Sequence, residues 1–500
     1  MSFTDILPRN LYRAAQVREL DRTAIETFSI PGLTLMERAG SAAYSMLCKG
    51  WPEVQIITVI CGVGNNGGDG YVLARLALQA GKIVHLLQLG GVSKIKGDAL
   101  TNYERFIEVG GEVQPFETLA EGSDVIVDGI FGTGLEREVT GEWRQAIEAI
   151  NASASPVLAL DIPSGLHSDS GQVLGVAVKA DATISFIGLK RGEFTGAGPE
   201  QCGQVLFDDL DVPEAVYATE QPTTKRAEWS MLKGLLGRRA RDAHKGDFGH
   251  VLVIGGDHGF SGAARMTGEA ALRTGAGLVS IATRPEHAAL LNTVRPELMC
   301  HGVADARALA PLLQRATVIA IGPGLGQTAW GRALFNAALE TKLPMIVDAD
   351  ALNQLASEPA QRDNWILTPH PGEAARLLGI SSADVQSDRF QSAQTLQEQY
   401  GGVIVLKGVG TLITAGTKEP TAVCTAGNPG MATGGMGDLL TGIIAGMVAQ
   451  GLSLSDAASA GVCLHAAAAD RAAQAGERGL LANDLQIELR LLLNTDWHQC

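Results

Sequence analysis

Val54-Gln-Ile-Ile-Thr-Val-Ile-Cys61 runs into Gly62-Val-Gly-Asn-Asn-Gly-Gly-Asp-Gly70 and then into the helical stretch Tyr71–Ala80. The first segment is β-branched and apolar, as a parallel strand buried on both faces requires. The glycines let backbone approach a ligand closely, and amides at a helix start attract anions. Strand, glycine loop and helix in that order specify an α/β unit with a ligand at the helix start. Ile83–Leu89, Val125–Asp128 and Val157–Asp161 repeat the strand pattern. Each ends near a glycine or carboxylate, so Asp128-Gly-Ile-Phe-Gly-Thr-Gly-Leu-Glu-Arg-Glu138 and Asp161-Ile-Pro-Ser-Gly165 converge on the first loop. One strand-end aspartate reads as a helix cap. Several in one sheet point to a shared site, to which Asn65, Asn66 and Asp69 add polar groups. Upstream, Leu11–Met46 has helical spacing broken by Pro31-Gly32, predicting two helices packed on the sheet.

The rhythm lapses over 208–230, a polar stretch with two prolines that reads as a linker, and a cut near Glu220 gives domains 1–220 and 221–500. It restarts at Lys245-Gly-Asp-Phe-Gly-His-Val-Leu-Val-Ile-Gly-Gly256. The small-residue helix after Phe260 implies close backbone packing or room for a flat ligand. Val318–Gly326 is a strand and glycine loop, and Pro344–Asp350 a strand ending in two acids. His370 stands between two prolines at another strand end, where the stiff backbone sets its direction. Val403-Ile-Val-Leu-Lys-Gly-Val-Gly-Thr-Leu-Ile413 reads as strand, turn and return strand, with Lys407 and turn amides as a phosphate cradle. Asn428-Pro-Gly-Met-Ala-Thr-Gly-Gly-Met-Gly-Asp-Leu-Leu-Thr-Gly-Ile-Ile444 is a glycine-rich loop opening a helix whose first turn carries Asp438. A polyphosphate fits such a helix start, and Asp438 stands where a hydroxyl could lose its proton.

Five hundred residues exceed one ordinary core, so two or more domains are expected. Hydrophobic content of 46 % with 61 glycines suits globular α/β units rich in tight turns. A net charge of −15 argues against a nucleic-acid or anionic-membrane partner, though local amide nests still bind phosphates. The seven cysteines are dispersed without CxxC spacing, which fits a reducing compartment and no zinc site. No apolar run reaches about 18 residues and the N-terminus lacks a signal peptide's apolar core, so the expected location is the cytoplasm, with no membrane span.

The first half resembles the NAD(P)H-hydrate epimerase family. The resemblance rests on Gly64–Gly70, Lys96-Gly-Asp-Ala99, Asp128–Glu138, Asp161–Leu166 with Asp169, Gly171 and Gly175, and Asp181–Phe186 leading to Lys190. It implies a Rossmann-like parallel sheet and substrate contacts from Asn65, Asn66, Gly67, Gly68, Asp69, Gly132, Thr133, Gly134, Leu135, Glu136, Arg137, Glu138 and Asp161. It also implies a monovalent cation, potassium, near Asn66, Asp128 and Ser164, and proton transfer by Asp161, with Lys190 as a second candidate. The second half, Lys245 to Thr441, resembles the ADP- or ATP-dependent NAD(P)H-hydrate dehydratases of the ribokinase superfamily. That implies a nucleotide on Lys407, Gly408, Val409, Gly410, Thr411 and Gly437, and hydrate contacts from Ala263, Gly324, His370 and Asp438.

The resemblance implies a repair enzyme acting on NADHX and NADPHX, the hydrates of NADH and NADPH, with a homo-oligomer as its expected assembly. Asp438 deprotonates the ring hydroxyl while a phosphoryl group passes to it from ADP or ATP with magnesium, and phosphate then leaves. The first domain supplies the epimer whose hydroxyl faces the phosphate. A sugar or vitamin kinase would share the loop and Asp438 but release a phosphorylated product. A non-catalytic nucleotide sensor would bind the hydrate without turnover.

Overall fold

The computed structural model describes residues 7–119 and 122–494. The chain divides into two compact units between Lys225 and Arg226. The first is built on seven strands: β1 Ile56–Cys61, β2 Ile83–Gln88, β3 Val113–Pro115, β4 Val125–Gly129, β5 Val157–Leu160, β6 Ala182–Phe186 and β7 Gln204–Asp208. They lie parallel in the order β3-β2-β1-β4-β5-β6-β7. The order reverses between β1 and β4, which opens a crevice at their carboxyl ends. The strand alternation divides two cores. Ile57 and Val59 join Leu20, Leu47, Tyr71 and Phe106 on one face. Ile60 joins Ile126, Ile147 and Ile150 on the other.

The helix after β1 begins at Asn65, not at Tyr71 as the glycine run suggested. The glycines form its first turns because this end is packed backbone to backbone. A β-carbon on Gly67 would lie 2.2 Å from the Gly62 carbonyl oxygen, and one on Gly68 2.5 Å from Met36 Sδ. The predicted helices of 11–46 are Ala14–Glu26 and Gly32–Gly50.

The stretch read as a linker is largely part of the first unit. Leu210, Val212 and Val216 are buried in its core, and Gln16 Nε2 donates to Glu220 Oε2 (3.2 Å) and the Gln221 carbonyl (3.0 Å). Its polarity hid three apolar side chains spaced to meet the first helix.

In the second unit the strands are β8 His250–Ile254, β9 Leu278–Thr283, β10 Met299–Gly302, β11 Val318–Ile321, β12 Met345–Val347, β13 Trp365–Leu367, β14 Val403–Leu406, β15 Thr411–Thr414 and β16 Thr421–Cys424. Their order is β16-β15-β14-β13-β12-β11-β8-β9-β10. β8 to β14 are parallel, and β15 and β16 add an antiparallel edge. Among the described residues no helix is long and apolar enough to cross a membrane.

The small residues after Phe260 serve packing. Helix Ser261–Thr274 lies against helix Met436–Ala449, with a β-carbon on Gly442 meeting the Thr267 carbonyl oxygen at 2.1 Å. Thr267 Oγ1 donates to the Asp438 carbonyl at 3.0 Å, which ties the start of one helix to the other. Gly442→Ala should therefore force the helices apart and destabilise the second unit by about 1–3 kcal/mol. Calorimetric unfolding should show that loss in the second unit's transition, with the first unit's unchanged.

Candidate functional site

At the crevice of the first unit three loops meet. Asn66, on the first helical turn after β1, donates through Nδ2 to the Phe131 carbonyl at 2.9 Å. Asp128, near the end of β4, accepts from Ser164 Oγ at 2.6 Å, Ser164 N at 2.8 Å and Ile130 N at 3.2 Å. Ser164 Oγ in turn accepts from Phe131 N at 2.8 Å. The fold thus brings Asn66, Asp128 and Ser164 to one point. Burial pushes the Asp128 carboxyl up to about 6 despite the hydrogen bonds from Ser164 and Ile130. Asn66 Oδ1 is buried there without a hydrogen-bond partner.

Asp161 follows β5 with φ of 64°, a left-handed conformation rare outside glycine. Its Oδ1 is bound by Lys190 Nζ, which also donates to the Asp161 carbonyl (3.2 Å) and Ser185 Oγ (2.8 Å). All three ammonium protons are therefore engaged, and the Lys190 side chain is fully buried. Asp161 Oδ2 accepts from Thr133 N at 3.2 Å and lies beside Gly132. More carboxyls crowd this pair. Burial, then the charge of Asp161, pushes Asp21 up to about 7. Burial, with Asp161 and Asp21, raises Asp69 well above the usual range. Burial pushes Glu193 up to about 7 against the pull of Lys190.

The predicted wall residues divide. Gly132 and Thr133 reach Asp161, and Asn65, Gly134, Glu136, Arg137 and Glu138 are exposed. Gly67 and Gly68 are helix-packing glycines, and Leu135 turns its side chain into the core with Ile60 and Ile130. These three offer a ligand only backbone.

In the second unit an ion-pair chain crosses the strand ends. Lys407, after β14, meets Asp348 Oδ1 at 2.8 Å and Glu373 Oε2 at 3.8 Å. Thr441 Oγ1 donates to Asp348 Oδ2 at 2.9 Å. His370 caps helix Pro371–Leu378, its Nδ1 accepting from Gly372 N (3.0 Å) and Glu373 N (3.3 Å). Nδ1 is thus the unprotonated nitrogen, and Nε2 faces Glu373 Oε1 at 3.5 Å. Capping, rather than the prolines alone, sets the ring's direction. A β-carbon on Gly437 would lie 3.3 Å from Lys407 Nζ, so the glycine loop and the lysine turn converge. Ala263 and Gly324 touch, since a β-carbon on Gly324 would lie 3.3 Å from that of Ala263.

The two aspartates facing Lys407 behave oppositely. Burial works to raise the Asp348 carboxyl, but the Lys407 charge and hydrogen bonds from Lys407, Thr368 and Thr441 hold it below the usual range. Burial, then the charge of Asp348, pushes Asp438 up to about 7, only partly offset by Lys407. Asp438 is thus the acid without its own counter-ion.

A family profile described as YjeF-related protein N-terminus matches residues 32–192, and one described as NAD(P)H-hydrate dehydratase matches 251–490. The chain is 54 % identical to the bifunctional NAD(P)H-hydrate repair enzyme of Coxiella burnetii, over 97 % of this chain and 99 % of that one. The chain belongs to the bifunctional NAD(P)H-hydrate repair enzymes. Its counterpart in Escherichia coli is 44 % identical over 98 % of this chain and 95 % of that one. A ribokinase-like superfamily protein from Enterococcus faecalis superposes with a TM-score of 0.52 at 29 % identity, covering 55 % of this chain and 97 % of that one. The ribokinase-like architecture of the second unit and the parallel sheet of the first agree with this family.

Asp21, Ser185, Glu193, Asp348, Glu373 and Thr441 stand at these sites without a role legible in the sequence. Asp348 had a signal, as a strand-end acid. Asp21 had none, since it lies mid-helix and reaches the repair-enzyme site only through packing.

Removing the two second-unit aspartates should change stability in opposite directions. Asp348→Asn leaves the half-buried Lys407 with only Glu373, at 3.8 Å, and should cost about 2–3 kcal/mol, less than breaking a fully buried pair. Asp438→Asn should stabilise at pH 8, because the folded state must ionise a carboxyl that prefers its proton. A raised folded value gives its penalty above about 7 and loses it as pH falls toward the unfolded value near 4. Denaturant midpoints of the second unit between pH 4 and 8 measure both.

Proposed function

We propose that the first unit interconverts the R and S hydrates of NADH and NADPH at the Asp161 crevice, and that the second dehydrates the S form at Asp438. For dehydration, the supporting observation is that the glycine loop, Lys407 and Asp438 meet at one helix start, where amides and an acid face the same space. The nucleotide lies on Lys407, Gly408, Val409, Gly410, Thr411 and Gly437. The hydrate lies against Ala263, Gly324 and His370, its ring hydroxyl toward Asp438.

Hydroxide is a poor leaving group. Asp438 takes the hydroxyl proton while the terminal phosphoryl of ADP, or of ATP, passes to the hydroxyl oxygen. The ring nitrogen's lone pair then expels phosphate to leave a cyclic iminium, and loss of a proton from the adjacent ring carbon restores NAD(P)H. Such transfer needs mainly positioning and charge stabilisation. Lys407 supplies positive charge, and Asp348, Glu373 and Thr441 hold the surrounding groups in place. A magnesium ion accompanying the nucleotide would neutralise charge on the phosphoryl group being transferred.

In the first unit Asp161 is the proton-transfer group. Lys190 fixes one carboxylate oxygen and leaves the other toward the Gly132–Glu138 loop. Asn65–Asp69 forms the facing wall. The unpartnered Asn66 Oδ1 beside the Asp128 carboxylate and Ser164 hydroxyl is an all-oxygen donor set that fits potassium. The ion's charge would compensate the buried Asp128 and fix the loops around it.

Asp438→Asn should lower nucleotide-dependent dehydration by about 10²–10⁴-fold, the usual worth of a general base, with epimerisation intact. Wild-type kcat/KM should fall as pH drops below about 7, and phosphate, not a phosphorylated hydrate, should be the product in mass analysis. Near-normal turnover by this variant would remove Asp438 from the role.

For the first unit the discriminating substrate is the R hydrate. Asp161→Ala should use the S hydrate at the wild-type rate while its use of the R hydrate drops to the spontaneous epimerisation rate. Absorbance recovery from each purified epimer reads this, and equal use of both would refute the assignment.

A further inference from the structure

The Lys407–Thr411 turn is shaped by a residue that lies behind it. Arg389 opens helix Arg389–Tyr400 and is 1 % exposed. One terminal nitrogen of its guanidinium donates to Gln386 Oε1 at 2.9 Å and to the Lys407 carbonyl at 3.4 Å. The other reaches the carbonyls of Leu406 (3.3 Å), Lys407 (3.4 Å) and Gly410 (3.3 Å). A planar trans peptide holds its C=O and N–H on opposite sides. Each carbonyl drawn toward the guanidinium therefore turns the next residue's N–H away from it. The Lys407 carbonyl turns out the amide of Gly408, and the Gly410 carbonyl turns out that of Thr411. The Lys407 amide is already taken by the Pro369 carbonyl at 2.9 Å. Gly408 has φ of 136°, and a β-carbon there would lie 2.7 Å from the guanidinium, so the turn and Arg389 fit only with glycine between them.

We propose that Arg389 is a positioning residue for the nucleotide: it holds the carbonyls of the Lys407–Thr411 turn inward so that the amides of Gly408 and Thr411 face a phosphate. This rests on the placement of the nucleotide at that turn. Arg389 touches no substrate. A guanidinium offers five donors in a rigid fork, and its charge reinforces the positive end of the outward amides. A lysine has one nitrogen, so it cannot hold Gln386 Oε1 with one arm and the Leu406 and Gly410 carbonyls with another, as the planar fork does. Burial pushes the Arg389 guanidinium down to about 10, which leaves it cationic at neutral pH.

The test uses the full chain, with the KM for the S hydrate and kcat as controls on folding of the second unit and the epimerase rate as the control on the first. In wild type, ADP should slow amide hydrogen exchange over residues 407–411. Arg389→Lys should raise the ADP dissociation constant and KM at least tenfold, and Gln386→Leu, which removes one of the guanidinium's acceptors, a few-fold. The KM for the S hydrate, kcat at saturating ADP and the epimerase rate should stay within twofold. An absence of ADP protection in wild type would overturn the nucleotide placement and this inference with it. Protection in wild type, with ADP affinity within twofold in both variants, would overturn the role of Arg389 alone. Equal losses in ADP and hydrate affinity would also overturn it, as a general structural effect. If Arg389→Lys leaves the second unit unfolded, Gln386→Leu decides.

Discussion

Both units depend on one steric constraint: neighbouring strand ends touch through backbone, with no side chain between them. A β-carbon on Gly62 would lie 2.0 Å from the Ile130 carbonyl oxygen, and one on Gly322 1.8 Å from that of Asp348. Such contacts draw the loops after adjacent parallel strands into one crevice. In the first unit they bring Asn66 beside the Gly129–Thr133 backbone, and Asp161 follows from the next strand. In the second they bring Asp348 under the glycine loop and within reach of Lys407. Bulkier residues at these positions would separate the loops and with them the reacting groups.

Within those crevices each unit sets one lysine among several acids, to different effect. Lys190 spends its three protons on Asp161 and Ser185, so the acid assigned to proton transfer is the one that is held. Lys407 is committed to Asp348 and Glu373, so the acid assigned to proton transfer is the one left over. Burial, then the charge of Asp348, pushes the Asp438 carboxyl up to about 7, close to the pH at which a base both accepts and releases protons readily. The same type of pair thus orients one carboxylate and leaves the other poised.

The family's two activities suit this contrast. Epimerisation needs a proton acceptor in a fixed direction, whereas dehydration adds a phosphoryl group and therefore needs amides and positive charge beside the base. In the proposed reading, turn Lys407–Thr411 and helix start Gly435–Asp438 supply the amides, and Arg389 and Lys407 the charge, one from behind the turn and one at its edge.

Much of this was legible in the chain itself. β-branched runs ending in glycine or aspartate specified parallel strands and the end of the sheet where a site must form, because alternation and turn chemistry are local. Asn428–Ile444 likewise specified a glycine loop and a helix bearing Asp438. The helix after β1 starts earlier than its sequence implies, because glycines that read as a loop are helical when another backbone lies against them. Asp21, Ser185, Glu193 and Arg389 escaped notice for a related reason. Their neighbours in sequence say nothing of the lysine, aspartate or carbonyls they meet. The sequence by itself determined the elements and most of the reactive groups. Only the tertiary structure decided which charges pair, since pairing depends on distances across strands that lie far apart along the chain.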